Sequence, residues 1–145
     1  MPVINPALVN VFGFWGSVVI LKLLAMIPLT ARQRFRKRVF ANEGDTRFTP
    51  KSKVVYDDPD VERVRRCHLN DLENILPWFI ITYIYLGTNP SVWLASNLMK
   101  GFVLSRIAHT LSYAVYPTQP ARAIAFFIGY LIMGYQAIVS LLHYM

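Results

Sequence analysis

Asp58-Pro-Asp-Val-Glu-Arg-Val-Arg-Arg-Cys-His-Leu-Asn-Asp-Leu-Glu-Asn-Ile-Leu-Pro-Trp-Phe-Ile-Ile-Thr-Tyr-Ile-Tyr-Leu-Gly87 begins as a water-soluble helix and ends as a membrane one. Asp58 reads as an N-cap, Pro59 suits the first helical position, and Asp60 and Glu62 put acid on the first turn, where the helix dipole favours it. From Leu72 to Gly87 the only charge is Glu73. A helix from Pro59 to Gly87 would be about 43 Å long against a hydrocarbon slab of about 30 Å, so its first turns project beyond the slab.

Three more apolar stretches flank this one: Ala7 to Leu29, broken only by Lys22, then Ser91 to Tyr116, then Ala121 to Tyr144. Gly87-Thr88-Asn89-Pro90 and Pro117-Thr118-Gln119-Pro120 separate them, both built from helix breakers. The expected fold is therefore an all-α integral membrane protein, one up-down four-helix transmembrane domain over residues 1–145. Its spans are expected near 7–30, 59–88, 91–116 and 120–144, with a polar loop over 31–58.

The charge distribution leads to the same class. The chain has 145 residues, 54% hydrophobic and 14% aromatic, with a net charge of +7. All eight acids and eleven of the fifteen bases fall between Ala31 and Glu73. Residues 74–145 carry only Lys100, Arg106 and Arg122, too few charges to give a soluble domain its polar surface. The aromatic content and a mean hydropathy of +0.36 exclude disorder. A single cysteine, Cys67, excludes an intrachain disulfide. The bases share their segment with every acid and match no nucleic-acid motif, so an anionic membrane surface or small anionic ligand is the better inference.

Arg32, Arg34, Arg36, Lys37, Arg38, Arg47, Lys51 and Lys53 place the first connection in the cytosol by the positive-inside rule. Both termini and the Gly87–Pro90 turn then face the opposite side. The first apolar stretch lacks a basic n-region and runs into a basic cluster, which argues against a cleaved signal peptide.

This topology collects polar residues from four regions at one level: Arg34, then Arg66, Asn70 and Glu73, then Arg106, His109 and Tyr113, then Arg122. Residues 66, 70 and 73 follow i, i+4, i+7, and 106, 109 and 113 follow i, i+3, i+7, each one helical face. Charged groups inside a span face a bundle interior or a wet cavity. Packing ion pairs are the plainer explanation for Arg66–Glu73 and Arg106, and an interfacial anchor the plainer one for Arg122. Five arginines beside one or two buried acids nevertheless exceed what packing requires, and the surplus suits an anion. Pro77 removes the hydrogen bond to the Glu73 carbonyl, a bend expected to open the helix where that acid points inward, though membrane helices also tolerate proline. Lys22 is expected to be an interior contact. The three histidines show no metal-ligand spacing, so no metal is expected.

Arg34-Phe-Arg-Lys-Arg-Val-Phe-Ala-Asn42, the block from Asp58 to Pro77, Arg106-Ile-Ala-His-Thr-Leu-Ser-Tyr113 and Gln119-Pro-Ala-Arg-Ala-Ile-Ala-Phe-Phe-Ile-Gly-Tyr130 together resemble the membrane-associated proteins in eicosanoid and glutathione metabolism (MAPEG). The microsomal glutathione transferase branch is the nearer match and the microsomal prostaglandin E synthase branch the next. The resemblance implies a homotrimer in the endoplasmic reticulum membrane, or also the mitochondrial outer membrane, with glutathione as co-substrate between subunits near the cytosolic face. It implies glutathione contacts at Arg34, Arg65, Arg66, His68, Asn70, Glu73, Arg106, His109 and Tyr113, with Arg122 stabilising the thiolate. Arg65 and His68 lie off the Arg66–Glu73 face, which a site between subunits accommodates.

Some positions depart from one branch or both. Ala123 stands where the prostaglandin branch has a serine, Leu69 where that branch has an arginine, and Cys67 where both usually have alanine. Phe126, Phe127 and Tyr130 follow the transferase pattern. The first polar loop has no cysteine, which puts activation by thiol reagents in doubt.

Glutathione carries two carboxylates, an ammonium and a thiol. The arginine fork suits carboxylates and a buried glutamate suits the ammonium, so Arg66, Arg106 and Arg34 or Arg65 are assigned to the former and Glu73 to the latter. Lowering a thiol pKa by about two units takes about 2.7 kcal/mol of thiolate stabilisation, within reach of one arginine in a low-dielectric site. The expected activity is glutathione conjugation to lipophilic electrophiles, with glutathione-dependent peroxidase activity. A lipid-endoperoxide isomerase and a non-catalytic lipid-binding member of the fold are the alternatives.

Overall fold

The computed structural model describes residues 4–47 and 49–145; Phe48, inside the expected polar loop, lies outside the described residues. The chain is mostly helical. Helix α1 spans Pro6–Leu24, α2 Met26–Lys37, α3 Glu43–Thr46, α4 Pro59–Leu86, α5 Val92–Thr110 and α6 Ala121–Tyr144. A π-helical turn, Leu111–Val115, extends α5. Two short strands, β1 (Val39–Phe40) and β2 (Lys53–Val54), pair in parallel.

Local chemistry sets the boundaries. Asn5 caps α1 by accepting from the Ala7 amide (2.9 Å), with Pro6 next to it. Asp58 caps α4 through the Asp60 and Val61 amides (3.1 and 3.2 Å), and Ser91 caps α5 through the Leu94 amide (3.3 Å).

The first connection differs from the expectation of a polar loop over 31–58. Residues 31–37 continue as helix α2, so Arg34, Arg36 and Lys37 lie on a helix. The helix is interrupted at Ala25, three residues before Pro28, whose missing N–H leaves the Leu24 carbonyl without its i+4 partner. It ends at Arg38, which adopts the left-handed conformation (φ 56°).

Helix α5 packs along α1 and α6, and α4 packs along α6 and α2. Tyr144 reaches the Ile84 carbonyl (3.5 Å), so the C-terminal ends of α4 and α6 lie together. The main core holds Trp78 stacked on Phe102 (centroids 4.7 Å apart, planes within 2°), with Leu8, Val19, Ile75 and Met99 around them. A smaller cluster joins Met26, Val64, Cys67 and Ala114. Among the described residues, two helical stretches are long and apolar enough to cross a membrane, Pro6–Lys37 (α1 with α2) and Ala121–Tyr144, with mean hydropathies of 1.9 and 1.8. Both leave most of their apolar surface exposed on this single chain.

Candidate functional site

The packed face of α4 carries Val64, Cys67, Asp71, Asn74, Ile75, Trp78, Thr82 and Tyr85, spaced at three and four residues. This helical phase decides which acid points inward. Glu73, expected to do so, is exposed, as is Arg66; they share the outer stripe with Leu69, Leu76, Ile80 and Tyr83. The inward acid is Asp71, fully buried and ion-paired to Lys22 of α1. Packing therefore uses a pair that the expected Arg66–Glu73 pair had obscured; among the described residues, neither Arg66 nor Glu73 is in an ion pair.

Arg106 is completely buried on α5. Its Nη1 donates to Asn70 Oδ1 (3.3 Å) and its Nη2 to the Ala125 and Phe126 carbonyls of α6 (3.3 and 3.4 Å). The rings of Phe102 and Phe126 lie 5.8 and 5.7 Å from its guanidinium carbon. Gly129 makes room for it, since a Cβ there would stand 3.2 Å from Nη2. No carboxylate touches this guanidinium among the described residues, and its Nε has no partner.

One turn on, His109 is buried against Tyr113, their rings edge to face at 5.5 Å. The π-helical turn carries Tyr113, whose ring lies 4.4 Å from the guanidinium carbon of Arg122 on α6. With the Gln119 amide oriented by its hydrogen bonds, its oxygen accepts from Arg122 Nη2 (2.5 Å) and Nε (3.0 Å). Asn70, His109, Tyr113, Arg122, Ala123 and Phe126 border a cleft of about 320 Å³, with Arg106 against its Asn70 and Phe126 walls. His109 Nδ1 is buried there with no partner. The structure thus draws five of the ten candidate residues together: Asn70, Arg106, His109, Tyr113 and Arg122.

Three others lie elsewhere. Arg34, Arg65 and His68 line a second cleft of about 430 Å³ between α2 and α4, along with Thr30 and Leu69. Arg65 there pairs with Glu62 (2.5 Å), and Arg34 Nη1 is buried without a partner. Arg66 and Glu73 occupy the exposed stripe of α4 between the two clefts.

The charges at the end of α2 and the start of α4 are tied separately. Asp60 accepts from Lys37 (2.5 Å) and Arg63 (2.7 Å). Those hydrogen bonds, Lys37 first, hold its carboxyl below the usual range, and Asp60 in turn holds the Lys37 ammonium above its usual value.

Asp71, Gln119 and Gly129 were missed by sequence reasoning as parts of this region. A signal existed for the first, because a lone Lys22 inside an apolar helix needs an acid on a neighbour. No group of three or more metal-ligating side chains occurs among the described residues.

Microsomal glutathione S-transferase 1 of Mus musculus is 40% identical over 139 residues, covering 91% of this chain and 90% of that protein. The Bos taurus protein of the same name is 41% identical with the same coverage. Prostaglandin E synthase of Homo sapiens is 33% identical over 122 residues, covering 84% of this chain and 80% of that protein. The family model described as MAPEG family matches residues 12–142, so the chain belongs to the MAPEG family.

Proposed function

We propose that the chain is a membrane glutathione transferase that conjugates the glutathione thiolate to lipophilic electrophiles. The observation that carries this reading is a cleft bordered by Arg122 and backed, behind Asn70 and Phe126, by the buried Arg106, where no carboxylate among the described residues touches either guanidinium. Arg106, braced by Asn70 and the α6 carbonyls, binds a glutathione carboxylate. Asn70 and His109 hydrogen-bond the peptide, and Tyr113 covers Arg122. Arg122, held in place by the Gln119 oxygen, turns a remaining N–H to the sulfur and stabilises it as thiolate. The same thiolate reducing a lipid hydroperoxide gives the peroxidase activity.

The working unit is a homotrimer of four-span subunits in the endoplasmic reticulum membrane, or also the mitochondrial outer membrane, with the site toward the cytosol. Supporting the trimer is the division of the candidate residues between two clefts on either side of the exposed α4 stripe. A neighbouring copy packed on that stripe joins its Arg34, Arg65 and His68 to this copy's Arg106 and Arg122. Arg66 and Glu73 then lie in the seam, where Glu73 meets the glutathione ammonium. Ala123 lines the cleft without a hydroxyl, which favours transferase over prostaglandin-type isomerase chemistry.

Purified protein in detergent should bind glutathione, show thiolate absorbance, and conjugate a generic aromatic electrophile. In Arg122→Ala, absorbance and turnover should both fall; retention of both removes Arg122 from the mechanism. Failure of the wild type to bind or conjugate favours the non-catalytic lipid-binding reading.

A further inference from the structure

Three cations lie well inside the spans: Lys22, Lys100 and Arg106. The bundle itself answers two of them, Asp71 taking Lys22, and Asn70 with the α6 carbonyls taking Arg106. Lys100 is exposed on α5 and joins no ion pair among the described residues. It stands near the middle of its helix, about 12 Å along the axis from Val92 and about 15 Å from Thr110. Trp93, 75% exposed, marks the interface at the nearer end, and a four-carbon lysine stem covers only about half the distance to it. A lone charge at that depth is costly, and intramembrane charges pair with one another.

The residues around Lys100 form a seat for a helix. Asn97, one turn earlier, is exposed on the same stripe; its amide donates one N–H to the Trp93 carbonyl (2.8 Å) and has a second to give. One and two turns after Lys100 the stripe continues as Leu104 and Ala108, both exposed. These two form one wall of an apolar groove of about 410 Å³, with Gly101 at its mid-span end and Ile124 and Ile128 of α6 opposite. The groove runs from mid-span to the end of α5, and Lys100 and Asn97 lie just beyond its mid-span end. Gly101 and Ala108 are small, which lets a helix lying there approach the α5 backbone.

We propose that the outward face of α5 seats a spanning helix of another membrane protein, one that carries a single Asp or Glu near the middle of its span. That carboxylate meets the Lys100 ammonium and the spare Asn97 N–H, while apolar side chains on its next turns fill the groove. A second copy of this chain has few acids to offer: all eight lie between Glu43 and Glu73, Asp71 is taken by Lys22, and Glu73 is assigned to the glutathione seam. The proposal rests on the membrane-spanning reading above, and its test is read apart from glutathione conjugation.

The test places the full chain in phosphatidylcholine vesicles with a synthetic Leu/Ala spanning peptide that carries one central Glu and a dansyl group. Energy transfer from the chain's three tryptophans reports association. The Glu peptide should bind about tenfold more tightly than the same peptide with Leu at its centre, the scale of one interhelical polar contact in a bilayer. Lys100→Met should bring the two peptides to parity, and Lys100→Arg should keep the preference. Leu104→Trp, filling the groove from its rim, should weaken binding of both peptides. Conjugation should be unchanged in all three variants, which shows that they fold. Parity of the two peptides on wild type overturns the proposal, and so does a preference that survives in Lys100→Met. Association between copies of the chain that is lost equally in Lys100→Met and Glu73→Gln also overturns it, because Glu73 of a second copy would then be the counter-charge.

Discussion

Replacing Lys22 by Met should destabilise the chain severely, and replacing its partner as well should restore it. Asp71 is fully buried and the Lys22 side chain is 9% exposed. Among the described residues Asp71 Oδ1 lacks a partner, so Lys22 supplies the only one the carboxylate has there. Removing one member of a buried pair costs about 3–5 kcal/mol. Insertion scales give about 2.5–3.5 kcal/mol for a lone charge within a span, so two independent routes agree on about 3 kcal/mol. The double variant Lys22→Met, Asp71→Leu removes both charges and the orphaned oxygen, and should lie within about 1 kcal/mol of wild type. The coupling energy should then be several kcal/mol. Cys67, the only thiol and completely buried, reports unfolding by its reaction with a thiol-specific dye during denaturation in detergent. Circular dichroism should accompany it, because Cys67 sits one turn before Asp71. Single variants within about 0.5 kcal/mol of wild type, or a double variant as unstable as the two singles summed, would refute the reasoning.

Gly129→Ala sets a Cβ 2.9 Å from Ser105 Oγ and 3.2 Å from Arg106 Nη2. It should cost about 1–3 kcal/mol and weaken glutathione binding, checked by denaturation and calorimetric titration. Gln119→Ala removes the acceptor that holds Arg122, so thiolate absorbance and turnover should fall about tenfold, the loss of about 1.5 kcal/mol of charge-assisted hydrogen bonding. Unchanged values would mean that Tyr113 alone orients Arg122. The Lys37–Asp60–Arg63 cluster predicts a pH dependence: the Asp60 carboxyl is depressed on folding, so its contribution is present above the ordinary carboxylate range near pH 4. That contribution is lost as pH falls through the depressed folded value, and with it the tie between α2 and α4. Pepsin cleavage within residues 38–58 should therefore rise steeply at the low end in wild type, and Asp60→Asn should be cleaved readily across the whole acidic range.

Sequence alone reveals much of the helical frame, because caps and breakers are local. Asp58-Pro59 starts α4 and the Pro117–Pro120 tetrapeptide precedes α6 without help from the rest of the fold. The interruption at Ala25 depends on one missing hydrogen bond from Pro28 inside an otherwise apolar run, a weak mark beside the strong hydropathy around it. Periodicity puts residues 66, 70 and 73 on one side of α4, yet it cannot say which side is packed, and only Asn70 of the three reaches the cleft. That phase is set by Trp78 on Phe102 and by Lys22 on Asp71, both contacts to other helices. Tertiary position also explains why Gln119 reads only as a turn residue and Gly129 only as a small one. The separation of the basic residues into two clefts depends on where α2 and α5 lie around α4, which no local pattern encodes.

Cys67 carries a consequence of its own. A catalyst that works among thiol-seeking compounds risks self-inactivation through any accessible sulfur, and this chain has one cysteine, sealed between Thr110 and the Met26 cluster. Alkylation of the folded protein has to wait for α4 and α5 to part. Resistance to suicide modification should thus follow the lifetime of that helix contact, so variants that loosen it would be consumed by their own substrates even with the catalytic groups intact.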